Sequence, residues 1–259
     1  MGKAGGLIRK ALYRTLPLGD YLKVLSGAYL FCYRTGLMRR APAFEYPRFL
    51  RNLVSEGDTV IDIGANLGYY SYVFSRLVGP SGYVHAVEPV RPILDVLRHN
   101  LRRCGNVDLY ECALGAEERT VRMGNASVSE SGYFGTGRNF VMDKPLSGMT
   151  MLEFEAEMKR GSRLFADLPR IDAIKCDIEG YERIVMADMR PLIEKHRPVV
   201  LIETDGDNRS FIVDLFVSMG YAGYTLADGA MKPLSAADRK DIIFVHASKT
   251  ELYSKYIRA

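Results

Sequence analysis

The segment Thr59-Val60-Ile61-Asp62-Ile63-Gly64-Ala65-Asn66-Leu67-Gly68, answered by Val84-His85-Ala86-Val87-Glu88-Pro89, constrains the fold of this 259-residue chain more than any other feature. A short apolar run breaks at glycines, where the backbone must turn sharply and approach another group with no Cβ in the way. Its second half opens a helix. Asn66 stands where a dinucleotide fingerprint would place its middle glycine, and Asn is the side chain that best tolerates positive φ, so the turn survives the substitution. Glu88 follows Gly68 by 20 residues, at the end of the next apolar run. A crossover helix returns the chain beside its first strand at that distance. Two adjacent strand ends then frame one crevice, lined by Gly64, Ala65, Asn66, Gly68, Glu88 and Pro89. A strand-end carboxylate there can accept from both hydroxyls of a ribose. Glu88 can also be read as a cap on the helix begun at Pro89.

The glycine spacing separates two nucleosides. A dinucleotide site asks for G-x-G-x-x-G, whereas this chain reads Gly64-x-Asn66-x-Gly68-Tyr69-Tyr70 and lacks the glycine that lets a helix N-terminus meet a pyrophosphate. S-adenosylmethionine carries no phosphate and needs no such cradle, so it is expected here in preference to NAD, with S-adenosylhomocysteine as product. Asp62 can face the cationic amino-acid end of that donor, or tie down the glycine turn through backbone N–H groups. After the third strand, Ala113 and Leu114 of Glu111-Cys112-Ala113-Leu114-Gly115 are expected at the adenine.

The rest of the chain alternates. A helix at 46–55 leads to a strand at 58–63, helix 67–77 to strand 83–87, and helix 91–103 to strand 107–111. Strands at 173–176 and 198–203 follow, then a helix at 211–219 and a closing strand pair at 221–226 and 241–246. Such alternation predicts a Rossmann-like α/β domain over 46–259, built on a mainly parallel seven-stranded sheet. Residues 115–147, with Ser127, Ser129, Ser131, Gly132, Gly135 and Gly137, read as an extended polar excursion beside the site. Residues 151–159 read as a helix.

Ligands of an open α/β sheet sit outside the carboxyl ends of its strands, and here those ends are acidic. The fourth strand ends Lys175-Cys176-Asp177-Ile178-Glu179-Gly180-Tyr181-Glu182 and the fifth Glu203-Thr204-Asp205. A neutral alcohol is a poor nucleophile, and a nearby carboxylate that takes its proton typically contributes about 10² to 10⁴ in rate. Asp177 is the first candidate for base or acceptor-orienting residue and Glu179 the second, with Glu203 and Lys175 in the same cluster. Asp177 and Glu179 also suit the N-terminus of the helix entered at Gly180. Clustered carboxylates invite a divalent cation as a further reading, although the chain's four histidines are scattered. His246, at the end of the last strand, is a further base candidate.

Charge adds little for the chain as a whole. An excess of 35 basic over 31 acidic residues does not make a nucleic-acid binder. Cys32, Cys104, Cys112 and Cys176 form no C-x-x-C pair and read as reduced thiols of a cytoplasmic protein. Residues 1–45 differ: Asp20 is their one acid ahead of Glu45, against Lys3, Arg9, Lys10, Arg14, Lys23, Arg34, Arg39 and Arg40. The apolar run at 22–33 is interrupted by Lys23 and falls short of the roughly 20 residues that span a bilayer. No small-residue cleavage site follows it, so a secretory signal is not expected. This helical extension reads either as a lid over the substrate mouth or as a basic amphipathic surface resting peripherally on the inner membrane. The oligomeric state is not legible.

The order Ile61-Asp62-Ile63-Gly64-Ala65-Asn66-Leu67-Gly68-Tyr69-Tyr70, Ala86-Val87-Glu88-Pro89, Ala113-Leu114-Gly115, Lys175-Cys176-Asp177-Ile178-Glu179-Gly180-Tyr181-Glu182 and Val200-Leu201-Ile202-Glu203 resembles the FkbM family of methyltransferases over roughly residues 46 to 246. The resemblance implies a class I fold, S-adenosylmethionine as donor, and O-methylation of a hydroxyl on a sugar, glycolipid or secondary metabolite in saccharide or natural-product biosynthesis. It assigns Gly64, Asn66, Gly68 and Glu88 to the cofactor and the Asp177–Glu179 motif to the reacting centre. Cys176 and Tyr181 stand where that family often has small or aliphatic residues. The partner would be a small-molecule or glycan acceptor. An amine acceptor is a close variant; a nicotinamide oxidoreductase or a non-catalytic binding module on the same fold are the readings from other classes.

Overall fold

From Thr59 onward short β-branched runs alternate with longer amphipathic ones. The computed structural model, which describes residues 3–37, 40–142, 150–235, 237–238 and 241–258, gives that alternation as a largely parallel sheet with helices on both faces. In chain order the elements are α1 (Lys3–Thr15), α2 (Leu18–Thr35), α3 (Glu45–Phe49), β1 (Thr59–Ile63), α4 (Tyr69–Val78), β2 (Tyr83–Val87), α5 (Arg91–Leu101), β3 (Val107–Tyr110) and β4 (Ala113–Gly115). They continue with β5 (Arg119–Asn125), α6 (Ser127–Ser131), β6 (Phe140–Met142), β7 (Leu152–Arg160), α7 (Gly161–Leu164), β8 (Ala173–Cys176), α8 (Glu182–His196) and β9 (Val199–Ile202). The last are α9 (Gly206–Ser218), β10 (Tyr221–Ala227), β11 (Ala230–Pro233), β12 (Ile242–His246) and α10 (Thr250–Tyr253).

The main sheet runs β11-β10-β12-β9-β8-β1-β2-β3, and β3, β2, β1, β8 and β9 pair in parallel. β12 is antiparallel to both β9 and β10. This is a Rossmann-like α/β fold, with two departures from the expected seven strands. β11 adds an eighth, joined to β10 by the two-residue turn Asp228-Gly229, both at positive φ as tight hairpins require. A second sheet of four strands, β4-β7-β5-β6, grows from the segment after β3.

That second sheet corrects two expectations. Residues 152–159 of the expected helix lie in strand β7 (Leu152–Arg160), because Phe154, Ala156 and Met158 turn inward while Glu153, Glu155, Glu157 and Lys159 face solvent. This is a period of two, not 3.6. The polar excursion from Gly115 holds β5, α6 and β6, while its end at 143–147 lies outside the described residues.

Both faces of the main sheet are buried. Ile61, Ile63, Ile174 and Ile202 pack beneath Val185, Met186 and Met189 of α8 and Phe216 of α9. On the other face Val60, Val84, Val199 and Val245 meet Val73, Phe74 and Val78 of α4 and Tyr46 and Phe49 of α3. Each such side chain contributes roughly 1.5–3 kcal/mol on burial. At the N-terminus α2 docks on α5: Tyr21 and Leu22 are fully buried with Leu67, Val90 and Ile93. Leu12, Tyr13 and Leu16 extend the same contact. The Tyr29 ring stacks on Tyr69 at 3.9 Å, which ties α2 to α4. All four cysteines are free, Cys112 and Cys176 buried.

Candidate active site

At the carboxyl edge of the parallel strands the β1 turn has the backbone its sequence requires, with Gly64, Asn66 and Gly68 at φ of 76°, 52° and 86°. Gly64 and Gly68 are needed for close packing as well. A Cβ on Gly64 would collide with the carbonyl oxygen of Asp177, and one on Gly68 would press into Leu97 of α5. Ala65 turns into the core between Ala86, Leu94 and Leu97.

Glu88 is buried, 5% exposed, at the end of β2. Its Oε2 accepts the N–H of Asn66 at 3.0 Å and its Oε1 that of Val90 at 2.9 Å. Burial raises its pKa to about 7, outweighing the two N–H groups that favour the charged form. The carboxylate therefore fastens the β1 turn to the β2 end rather than capping the first turn of α5, which has no side-chain cap.

Glu88, Gly64, Asn66, Pro89, Asp177, Ile178 and Glu179 line one side of a cavity of about 50 Å³. Met123, Thr136, Gly137 and Asn139, from β5 and the loop before β6, close the other. All four fall in the polar excursion expected beside the site, though none carries a site signal of its own in the sequence. That loop is held by a polar net: Asn125 Nδ2 donates to the Gly135 carbonyl and to Asn139 Oδ1, both at 2.9 Å, and Gly135 N–H donates to Ser127 Oγ at 2.8 Å. Ser127 Oγ in turn donates to Asn125 Oδ1. Tyr21 of α2 donates its hydroxyl proton to the Phe134 carbonyl at 3.0 Å, so the N-terminal helices brace the same loop. Ala113 and Leu114 lie in β4, buried and outside the lining of the cavity.

Beneath the turn, parallel register sets Lys175 beside Asp62. Both are buried, with Nζ 3.8 Å from Asp62 Oδ1. Lys175 also donates to the Gly64 carbonyl at 3.1 Å and to Asp177 Oδ2 at 3.2 Å, and lies 5.1 Å from the centre of the Tyr70 ring. Burial works to lower its pKa, but the charges of Asp177 and Asp62 override that and raise it. Asp62 accepts from Ser71 Oγ at 2.5 Å, while its Oδ1 has no hydrogen-bond partner. Its partners are thus a hydroxyl and an ammonium, not the backbone of the glycine turn.

Asp177 and Glu179 belong to a second, larger cavity of about 380 Å³, completed by Gly180, Glu182, Glu203, Thr204, Asp205 and Asp241. Glu182, not Asp177 or Glu179, holds the entry to α8: its carboxylate accepts from Ile178 N–H at 3.1 Å and from Gly180 N–H at 3.0 Å. Glu179 is left at a φ of 55°, a conformation that costs a non-glycine residue of order 1–3 kcal/mol. Desolvation and the charges of Asp177 and Glu182 raise its pKa to about 7. Desolvation and Asp177 likewise raise Asp241 to about 6, and desolvation, Asp177 and Asp241 raise Glu203 to about 8. Among the described residues no group of three or more His, Cys, Asp or Glu is disposed to hold a metal ion.

Asp241 carries no site signal in the sequence, and His246 lies elsewhere. Because β12 runs antiparallel to β9, its first end, beside Asp241, reaches the carboxyl edge, while His246 pairs with Tyr221 at the opposite edge and bonds Ser248 Oγ at 2.8 Å.

The strand order and the strand-end acids define a class I methyltransferase fold. The Methyltransferase FkbM domain is matched over residues 62–225, well over half the chain. The chain belongs to the FkbM methyltransferase family. It is also similar to a protein-L-isoaspartate O-methyltransferase of Methanosarcina mazei, 34% identical over 80 residues that make up 31% of this chain and 29% of that protein. A second, from Methanothrix thermoacetophila, is 42% identical over 48 residues, 18% of this chain and 23% of the relative. These matches span less than a third of the relatives' own lengths. A crystal structure of an FkbM methyltransferase from Methylobacillus flagellatus KT aligns at a TM-score of 0.49 and 16% identity, covering 77% of this chain and 50% of that one.

Proposed function

We propose that this protein transfers a methyl group from S-adenosylmethionine to a hydroxyl of a sugar, glycolipid or secondary metabolite. The observation that carries the reading is that two cavities meet at Asp177 and Glu179, one ending on the Glu88 carboxylate and the other open to an acceptor. The Glu88 end of the first matches the donor's ribose. Each Glu88 oxygen spends one lone pair on a backbone N–H, and a carboxylate with acceptor capacity remaining is matched to a ribose diol. Asp62, fully buried and 3.8 Å from the Lys175 ammonium, supports the turn from beneath. When bound, S-adenosylmethionine supplies an electrophilic methyl group on a sulfonium.

This chain's residues then have separable tasks. Glu88 and Asn66 hold the nucleoside. Lys175 fixes Asp177 and the Gly64 carbonyl in place, so Asp177 orients the acceptor hydroxyl. Glu179, shared by both cavities and with a pKa of about 7, takes the hydroxyl proton; a base poised near the working pH is the most effective kind. The acids around Glu203 and Asp241 support a second reading, an amine acceptor that they would attract as a cation. Calorimetry with S-adenosylmethionine, S-adenosylhomocysteine and NAD tests the donor, and preferential NAD binding rejects the assignment. Transfer of labelled methyl to candidate acceptors, with the product methyl assigned to oxygen or nitrogen by carbon NMR, decides between the two acceptors.

A further inference from the structure

We propose that α1 and α2 seat this protein on an anionic membrane surface, with lipid phosphates held in a basic groove between α2 and α5. Nine large apolar side chains stand exposed among the described residues, and five of them, Leu7, Ile8, Val24, Phe31 and Leu37, fall within the first 37 positions. Exposed apolar residues scattered singly need no explanation; this concentration does. Helical spacing aligns Val24 and Phe31 with Ala28 and Thr35 along the outer face of α2, and Leu7 with Ala11 along that of α1, while Leu37 follows the Gly36 cap. The inner faces are already spent on the domain through Tyr21, Leu22, Tyr13 and Leu16.

The outer stripe borders a groove of about 500 Å³ lined by Lys23, Arg34 and Arg102 together with His99, Leu30 and Phe31. No acid lines it; Asp20, 3.3 Å from Lys23, is the nearest on that helix. Slight desolvation and the charges of Arg102 and Lys23 lower the pKa of the exposed His99, and those two charges disfavour a further cation there. An apolar stripe beside clustered cations is the pattern that binds in the interfacial plane of anionic bilayers, the apolar residues entering the acyl boundary and the cations meeting phosphates. Among the described residues no helix is long and apolar enough to cross a membrane, so the contact is a peripheral one.

Flotation of the full chain with vesicles of phosphatidylcholine alone, and of phosphatidylcholine with phosphatidylglycerol at two to one, tests the inference. Binding is expected to the anionic vesicles alone and to weaken with salt. Phe31→Ser should release the protein, and Lys23→Glu with Arg34→Glu should weaken binding by at least about fivefold per cation removed. Circular dichroism and thermal melting check that each variant is folded. Failure to float with anionic vesicles, or binding unmoved by these variants, overturns the proposal. So does tight binding of duplex DNA without vesicle binding, which would make the groove a nucleic-acid surface. None of these outcomes depends on the donor or acceptor of the reaction.

Discussion

Glu88 accepts the backbone N–H of Asn66 at 3.0 Å, so the acid that closes the second strand is fastened to the positive-φ residue of the first strand's turn. One carboxylate thus shapes the turn and supplies the acceptor for a ribose. Glu88→Ala should lose both effects. Each hydrogen bond to a charged acceptor is worth about 1.5–3 kcal/mol, so S-adenosylhomocysteine affinity should fall by more than about tenfold. Titration calorimetry reads this directly, and an unchanged Kd removes Glu88 from the site.

The proposed base sets a pH profile. Glu179 accepts a proton only when ionised, and desolvation with the charges of Asp177 and Glu182 places its pKa at about 7. Turnover should rise with pH through that value and level off above it. Glu179→Gln should lower kcat by about 10² or more and remove the acid limb, with S-adenosylhomocysteine binding nearly intact. A profile unchanged in that variant assigns the limb to another group, Asp177 being next in reach.

Stability should follow the opposite course. Glu88 at about 7, Asp241 at about 6 and Glu203 at about 8 all lie above their unfolded values, so the folded protein holds more protons than the unfolded chain between roughly pH 4 and 8. Their contribution is fully present below the unfolded pKa values and is lost as pH rises through the folded ones. The Tm should therefore fall from pH 5 to pH 8, with Glu88 accounting for about 3 kcal/mol of the change. Glu88→Gln should flatten the slope. A Tm that rises over this interval contradicts the raised pKa values of these acids.

Most of the parallel core was legible because each strand carries its own signal, an apolar run with a glycine or an acid at its end. β2 and β8 fall on their expected residues, and the turn at Gly64, Asn66 and Gly68 has the predicted handedness. The second sheet was not seen. Its inward residues Phe154, Ala156 and Met158 alternate with charges in β7, a period of two that was available in the sequence but competed with the helix propensity of Glu, Met and Lys. Asp228-Gly229 was a hairpin signal of the same kind, marking β11. Asp241 was hidden for a different reason: the direction of β12 decides which of its ends meets the site, and direction is a tertiary property. Thr136, Gly137 and Asn139 reach the cavity through a loop whose shape depends on Asn125 and Ser127, side-chain bonds that no periodicity reports.

Lys175 offers the sharpest test of how the site is held. It is the cation shared by Asp62 and Asp177, at 3.8 and 3.2 Å, and it bonds the Gly64 carbonyl as well. Replacing it by Met keeps much of its volume but leaves Asp62, fully buried, with only Ser71 as partner. Removing one member of a buried pair typically costs about 3–5 kcal/mol because the other charge is stranded, whereas replacing both members by neutral groups of similar shape costs far less. Lys175→Met should therefore lower the Tm markedly, and Asp62→Asn added to it should restore much of the loss. Such non-additivity is what a double-mutant cycle measures. Simple addition of the two effects would mean that Lys175 acts through Asp177 and Gly64 alone, and that Asp62 is held by Ser71 without it.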